Sequence, residues 1–357
     1  MNPLLESILS PEFGFAVIRV TTPLVYPALG VAITAMSGNI NIGLEGIMLI
    51  SAFTGVMVSI YTQSLLLALL GGLAAGVLFG AILAYFHLNL KADIILAAVA
   101  TNFLAGGMSI FLLIVIAGER STSSLASLVF PSFAIPLVSR IPILGPIVSG
   151  HNILTYTAVL AVIVYAVLMY RTPLGLRIRA VGQNPDAARS VGINVNRTKT
   201  WALLISGVFG ALGGLYLAMG YVSWFSRDMT AGRGFIAVAA ATMGGNMPLG
   251  TLLGSLLFGF VNAGAIYISS LDVPSDLVQT VPYIATVIAL TVYAARRYRH
   301  RPPRSHGDRP TPAAVGPGSE GAGPGSEGEG GGSEGAGGGR EGAGGGETGF
   351  DGTGERR

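Results

Sequence analysis

Long apolar runs, separated by short polar stretches, fill the first 300 positions of the chain. Asp, Glu, Lys and Arg are absent from five of them: residues 94–118, 141–170, 200–226, 234–271 and 277–295. A helix that crosses a bilayer needs roughly 20 consecutive apolar residues. The pattern therefore predicts an all-α polytopic membrane protein with about nine transmembrane segments, at roughly 13–36, 40–60, 64–86, 93–116, 152–170, 200–221, 233–247, 250–270 and 279–296.

Several predicted segments contain residues that interrupt helices. Pro23 and Pro27 fall inside the first segment, and glycine-rich stretches lie at 37–39 and 244–250. Irregular backbone at membrane depth is tolerated only where protein or a water-filled cavity supplies hydrogen-bond partners. We therefore expect broken or re-entrant helices, which favour a transport path over a simple anchor. The seventh segment, 233–247, is short for a full crossing and is a candidate for re-entry.

The composition excludes most other classes of protein. Only 11% of residues are charged and the mean hydropathy is +0.64, whereas soluble domains carry about 25% charged residues. The chain has no Cys, no HExxH and no phosphate-binding loop, so we expect neither an enzyme nor a bound cofactor or metal. The excess Arg flanks apolar segments, which indicates membrane topology rather than nucleic-acid binding.

Orientation follows from the distribution of Lys and Arg. The loop 171–199 carries six Lys or Arg residues against the single acid Asp186, and five Arg follow the last segment. Lys and Arg are enriched in cytoplasmic loops. The loop 117–151 has only two such residues, Arg120 and Arg140, and is expected outside. Counting crossings predicts the N-terminus outside and the C-terminus inside.

Three regions differ in composition. Residues 1–12 are predicted to form a surface segment, 13–300 the transmembrane domain, and 301–357 a disordered Gly- and Glu-rich cytoplasmic tail. Residues 1–304 hold 17 Lys or Arg and 9 Asp or Glu, whereas residues 305–357 hold 4 and 9. The tail has too little apolar surface to offset the conformational entropy of folding.

The loop 171–199 contains the clearest local signal for a helix. A helix of about two turns, Pro185–Val191, is expected to stand alone between two crossings. The residues that cap, start, build and end it are Asn184, Pro185, Asp186, Ala187, Ala188, Arg189 and Gly192. Its two small alanines would let it approach a groove on a soluble partner closely. The alternative is an interfacial helix whose Arg residues meet anionic lipid.

A small set of polar residues within the apolar segments could line a path. Glu45 is the only carboxylate well inside such a segment, roughly 10 Å deep if Gly38 marks the membrane edge. It either lines the path or bonds the broken backbone around Asn39 and Asn41. Asn102 and Asn246 either face the path or join helices. Candidate path residues are Asn39, Asn41, Glu45, Asn102 and Asn246.

Four stretches resemble permease subunits of ABC importers in the nucleoside and simple-sugar group. They are RAVGQNPDAARSVGIN at 179–194, SGNINIGLEGIMLISAF at 37–53, IPLVSRIPILGPIVSGHNILTY at 135–156 and GGNMPLGTLLGSLLFG at 244–259. The resemblance implies that 184–189 is the coupling helix onto which an ATPase docks. It also implies three partners: a second, related permease, a tandem-cassette ATPase that hydrolyses the ATP, and an extracytoplasmic substrate-binding lipoprotein.

The resulting functional hypothesis is a permease in the cell membrane that passes a nucleoside or related small polar solute inward. A simple-sugar (ribose-type) or branched-chain amino acid permease is the alternative within the class. A self-sufficient secondary transporter or channel is the alternative outside it, although the chain lacks the array of intramembrane carboxylates that a proton or sodium relay uses. No motif separates ribose, a nucleobase and a nucleoside as the solute.

Overall fold

The computed structural model describes residues 10–118, 121–122, 127–134 and 144–269, together with 284, 287–288 and 291. Within these residues the chain is helical, and β-structure is limited to two isolated bridges, Ser121 with Ser226 and Ser132 with Asn152. The helices are α1 (Pro11–Met36), α2 (Leu44–Thr62), α3 (Leu65–Ala84) with a π-helical end (Tyr85–Asn89), α4 (Ile94–Ala117), α5 (Leu144–Val148), α6 (Ile153–Arg171), α7 (Pro173–Gln183), α8 (Pro185–Ser190), α9 (Val195–Tyr216) with a π-helical end (Leu217–Val222), α10 (Arg233–Met243) and α11 (Pro248–Ser269).

Seven of the described helices are long and apolar enough to cross a membrane, which agrees with the predicted all-α polytopic class. They are α1, α2, α3, α4, α6, α9 and α11. The predicted count of nine is not confirmed, because the seventh predicted segment forms the 11-residue helix α10 and most of the ninth, 279–296, lies outside the described residues. The tail after 301 and residues 1–9 also lie outside them.

The two prolines of the first segment do not break it, contrary to the sequence-based expectation. Helix α1 runs through Pro23 and Pro27 without interruption. Pro23 has no N–H to donate to the carbonyl of Arg19, and the hydroxyl of Tyr216 on α9 donates to that carbonyl instead, at 3.1 Å. A neighbouring helix thus replaces the missing backbone bond, as membrane helices commonly allow.

Small residues bring α9 close to its neighbours. Gly207, Gly210, Gly213 and Gly214 are all buried. A Cβ atom at Gly214 would collide with the carbonyl of Met48 on α2, and one at Gly213 would meet the Pro27 ring of α1 at 2.9 Å. Close backbone approach through small residues is the usual way in which membrane helices pack. Helix α9 therefore packs tightly against both α1 and α2.

The described loops gather at two opposite ends of the bundle. At one end, which we call the hinge end, residues 37–43 join α1 to α2, and Gly182 of α7 packs directly on the carbonyl of Met36. At the other end the amide of Thr122 donates to the carbonyl of Phe225 at 2.9 Å, and Phe130 donates to Met219 at 2.9 Å. The loop 171–199 and the described residues 121–122 and 127–134 thus lie at opposite ends.

One passage through the bundle is only half helical. The helical part of α9 ends at Val222, at the end opposite the hinge, and α10 begins at Arg233 after a stretch without helix. Helix α10 leads to Asn246, whose carbonyl accepts from the hydroxyl of Tyr165, which also contacts Met36 at the hinge end. Residues 223–246 therefore pass from one end to the other. We call this passage the broken crossing. Its 11-residue helix spans only about 16 Å.

Candidate functional site

Glu45 joins the second helix to the broken crossing. Its carboxylate oxygens accept the amide of Gly232 at 2.8 Å and the amide of Gly234 at 2.6 Å. These amides belong to the N-terminus of α10, which carries a partial positive charge. The carboxylate therefore bonds broken backbone, but the break is at 232–234 and not around Asn39 and Asn41, where the sequence predicted it. Glu45 also stands in the first turn of α2, so it complements two helix N-termini.

Asn102 holds the start of α2 from the side of α4. Its Oδ1 accepts the amide of Gly46 at 2.8 Å, and its Nδ2 donates to the carbonyl of Ile42 at 3.1 Å. One amide side chain therefore ties α4 to the beginning of α2. These contacts correspond to the helix-joining alternative for Asn102.

A cavity of about 460 Å³ lies where the N-termini of α2 and α10 meet α4. Thr230 lines it with a fully buried side chain whose Oγ1 has no hydrogen-bond partner in the described structure. The cavity combines carboxylate, amide, hydroxyl and guanidinium groups with phenylalanine rings: Glu45, Asn102, Thr230, Arg227, Asp228, Phe103 and Phe235. Such a mixture suits a small polar solute with an apolar face.

Asn39 lies at the hinge end, away from this cavity. Its Oδ1 accepts Lys199 Nζ at 3.2 Å, and its Nδ2 is 2.9 Å from His87 Nε2. His87 Nδ1 is in turn 2.9 Å from the carbonyl of Ala92. The amide nitrogen can only donate, so His87 accepts through Nε2 and donates through Nδ1. We call this chain of three side chains the hinge relay. It links α9, the hinge and the end of α3.

The last two candidate path residues also lie outside the cavity. Asn41 is fully buried, donates to Ser206 Oγ at 3.0 Å and accepts the amide of Gly43 at 2.9 Å. Asn246 has a positive φ of 58° and ends the broken crossing beside Tyr165. The structure therefore divides the five candidates: Glu45 and Asn102 line the cavity, while Asn39, Asn41 and Asn246 stand toward the hinge end.

The predicted helix of the 171–199 loop is present as α8, Pro185–Ser190. Asn184 caps it by accepting the amides of Asp186 at 3.1 Å and Ala187 at 3.0 Å. Gly192 follows it with a φ of +83°, a conformation that favours glycine. The helix does not stand alone, however, because α7 occupies Pro173–Gln183 directly before it. Thr172 caps α7 and Pro173 begins it.

The two alanines of α8 differ in burial. Ala188 is only 4% exposed and packs with Val181, Val195 and Ile193. Ala187 is exposed, as are the side chains of Asp186 and Arg189, which pair at 3.1 Å. The expectation that both alanines could approach a partner is therefore wrong for Ala188. Its burial anchors α8 to α7 and α9, so movement of α8 would be felt by α9.

Sequence reasoning missed several residues of this arrangement. Gly232 and Gly234 flank Arg233 in the stretch AGRGF, which matches no motif used in the prediction. Lys199 enters the prediction only as one of the six Lys or Arg residues of the loop 171–199. His87 directly follows the third predicted segment, 64–86, and has no role in the sequence-based prediction. The AGRGF glycines are the one local signal, because glycine amides are easily approached by an anion.

Comparison with known proteins identifies the family. Residues 14–290 match the family described as branched-chain amino acid transport system / permease component. The chain is 38% identical over 287 residues to the guanosine ABC transporter permease protein NupQ of Bacillus subtilis, covering 77% of this chain and 89% of NupQ. It is 33% identical over 287 residues to the nucleoside ABC transporter permease protein NupC of Lactococcus lactis, covering 77% and 90%.

A third relative is the putative glucose ABC transporter permease protein TsgC13 of Haloferax volcanii, which is 29% identical over 306 residues, covering 79% of this chain and 91% of TsgC13. No solved structure matched the chain. These matches and the seven apolar helices confirm the resemblance seen in the sequence and place the chain in the cell membrane as a multi-pass protein. The chain belongs to the branched-chain amino acid transport system permease family, whose members are transporter subunits and not enzymes.

Proposed function

We propose that the chain forms part of the membrane path of an ATP-driven importer for nucleosides. The family and the names of NupQ and NupC support the class of transporter and of solute. The main structural support for this proposal is the broken crossing. Transporters typically bind their solutes where discontinuous helices end inside the membrane, and here the N-termini of α2 and α10 meet at Glu45 beside a cavity.

The cavity chemistry favours a nucleoside over a purely apolar solute. Thr230 offers a hydroxyl without a partner, and the carboxylate of Glu45 retains acceptor capacity for a sugar hydroxyl. Phe103 and Phe235 present rings that suit the face of a base. Asn102 serves chiefly to hold α2 in this proposal, because both ends of its amide are already bonded.

Energy would enter through the 171–199 loop, on which a separate tandem-cassette ATPase docks. The exposed face of α8, with Ala187 between Asp186 and Arg189, is the contact surface. The buried Ala188 would pass a movement of α8 to α9. From α9 the hinge relay leads through Asn39 to the loop 37–43, which directly precedes the first turn of α2 that carries Glu45. Asn39, Asn41 and Asn246 act in this scheme as supports of the hinge rather than as solute contacts.

The remaining partners are a second, related permease and an extracytoplasmic substrate-binding lipoprotein. Two related chains in Bacillus subtilis, NupQ and NupP, are both named guanosine permeases, and Lactococcus lactis has NupB beside NupC. This naming supports a complex of two different permeases. Affinity purification of this chain from native membranes is expected to recover a second permease together with the ATPase, and recovery of this chain alone would contradict the proposal.

Solute competition in cells tests the class of solute. Uptake of radiolabelled guanosine by cells that carry the complete transporter is expected to fall when excess unlabelled adenosine or uridine is added, and not when ribose, glucose or leucine is added. Glucose is included because the name of TsgC13 supports a sugar permease as the second candidate. Inhibition by a sugar and not by nucleosides would favour that candidate.

The substitution Ala187→Arg tests docking on α8. It places a large charged side chain on the exposed face without entering the packed cluster around Ala188. We expect normal abundance in the membrane, loss of the ATPase on purification and at least tenfold slower uptake. The control Asn196→Arg adds the same charge to an exposed position at the start of α9, outside α8. It is expected to retain both the ATPase on purification and normal uptake. Full uptake by Ala187→Arg would remove α8 as the docking element.

A further inference from the structure

A second cavity, of about 440 Å³, lies at the hinge end between α7 and the start of α9. No residue of α8 lines it. Its lining combines basic and apolar side chains, and the residues that matter here are Leu174, Arg177, Ile193, Arg197 and Trp201. The cavity is therefore distinct both from the proposed solute cavity and from the exposed face of α8.

Among the described residues, the two arginines of this cavity have no charged partner. Within the part of the chain that the structure describes, neither Arg177 nor Arg197 makes a side-chain hydrogen bond, an ion pair or an aromatic contact. The one acid of the surrounding loop, Asp186, pairs with Arg189. The N-terminus of α9, capped by Asn194, adds a partial positive charge nearby. The cavity thus offers two free guanidinium groups to an anion.

The apolar residue Trp201 marks the place of the cavity relative to the bilayer. Trp201 is 45% exposed and stands where the apolar part of α9 begins. Tryptophan concentrates at membrane–water interfaces because its ring is amphipathic. A ligand that fills this cavity would therefore place its charged group on Arg177 and Arg197 and run its apolar part past Trp201 into the bilayer.

We propose that this cavity binds the phosphate-bearing headgroup of an anionic membrane lipid. Guanidinium groups bind phosphate through paired hydrogen bonds, and basic pockets beside membrane helices recognise anionic headgroups. The amphipathic wall separates a lipid from a free phosphate ion, which has no use for Trp201. Because α7 and α9 both contribute, a bound lipid would fix the base of the 171–199 loop.

Lipid binding can be measured directly on the purified full-length chain. Native mass spectrometry in detergent would compare dioleoyl phosphatidylglycerol with dioleoyl phosphatidylcholine. We expect one phosphatidylglycerol to be retained preferentially, and the double variant Arg177→Gln/Arg197→Gln to weaken its retention about tenfold or more. Trp201→Ala should weaken it by a smaller factor. The matched double variant Lys91→Gln/Arg171→Gln removes the same charge from exposed positions at the same end and should retain the lipid.

Three results would overturn the proposal. The first is equal retention of phosphatidylglycerol by the wild type and the Arg177/Arg197 double variant, with both proteins monodisperse. The second is no preference of the wild type for phosphatidylglycerol over phosphatidylcholine. The third is displacement of the lipid by millimolar inorganic phosphate, which would identify a free anion as the ligand. The conservative variant Arg177→Lys, expected to keep partial retention, guards against misfolding. The measurement involves no transport, so its failure leaves the proposed function untouched.

Discussion

The carboxylate of Glu45 is held by two backbone amides that stand two residues apart on the same glycine-rich turn. An ionised carboxylate near the membrane centre costs at least about 2.5–3.5 kcal/mol unless it is compensated. Two amide donors and a helix N-terminus supply that compensation. In return the carboxylate satisfies donors that the start of α10 would otherwise leave unpaired. The carboxylate of Glu45 and the N-terminus of α10 therefore stabilise each other.

Glu45→Gln separates the charge of this side chain from its shape. Glutamine keeps one acceptor but turns an NH₂ group toward the second glycine amide, so one buried donor loses its partner at a cost of about 1–3 kcal/mol. We expect a lower melting temperature in detergent and at least tenfold slower uptake. Glu12→Gln, the same change at an exposed position in the first turn of α1, is the control. Unchanged melting and uptake in Glu45→Gln would show that the contact is dispensable.

Ala188 and its neighbour Ala187 should respond differently to the same substitution. Ala188→Arg forces a long charged side chain into the cluster with Val181 and Val195, so the loop itself should loosen. Limited proteolysis is expected to cut the 171–199 loop faster in Ala188→Arg than in the wild type, whereas Ala187→Arg should resemble the wild type. Equal protease resistance in all three proteins would place Ala188 at the surface instead.

At the scale of elements, the hinge relay connects parts of the chain that are distant in sequence. Lys199 lies near the start of α9, Asn39 belongs to the hinge and His87 lies in the π-helical end of α3. Asn39 stands in the middle with both ends of its amide used. Removing it breaks both contacts, while removing Lys199 breaks only one.

This asymmetry predicts a non-additive result. Asn39→Ala should slow uptake more than Lys199→Met, and the double variant should be no worse than Asn39→Ala alone, because contacting residues are energetically coupled. The ratio of transported solute to ATP hydrolysed in proteoliposomes is the measurement, since a relay that couples the two should lower the ratio when broken. Lys91→Met, an exposed change at the same end, is the control. Additive losses, or an unchanged ratio, would mean that the relay is only structural.

Sequence reasoning succeeded with local features of elements and failed with distant ones. The cap Asn184, the start Pro185 and the stop Gly192 of α8 act within a few residues, so the sequence alone predicts them. The local sequence predicts a break at Pro23. It does not reveal that Tyr216, which compensates for the missing N–H of Pro23, lies on another helix. One of the two alternatives for Glu45, bonding to the backbone around Asn39 and Asn41, names a nearby break for the same reason, because Gly232 and Gly234 lie far along the chain. The proposed path through the membrane is made of such distant pairs.

At the scale of the molecule, the two groups of loops at opposite ends make the predicted orientation testable. Ser190 ends α8 at the hinge end, and Ser127 belongs to the stretch that bonds residues near Phe225 at the other. The native chain has no Cys, so single cysteines can be read without background. In intact cells an impermeant maleimide should label Ser127→Cys at once and Ser190→Cys only after permeabilisation. The reverse pattern would invert the proposed topology.

The bond between Glu45 and the start of α10 also imposes an order on biosynthesis. Glu45 leaves the ribosome 187 residues before Gly232, an interval of roughly 10–40 s at about 5–20 residues per second. During that time the amides of Gly232 and Gly234, which bind the carboxylate, have not been synthesised. Helix α10 is also too short to insert into the bilayer by its own hydrophobicity. The nascent chain must therefore keep this region hydrated or shielded by a chaperone until residue 234 is made. Assembly of the proposed path is then among the last events of folding. In a chain stalled on the ribosome before residue 232, the sensitivity of α2 to protease and to detergent should differ from that in the finished protein.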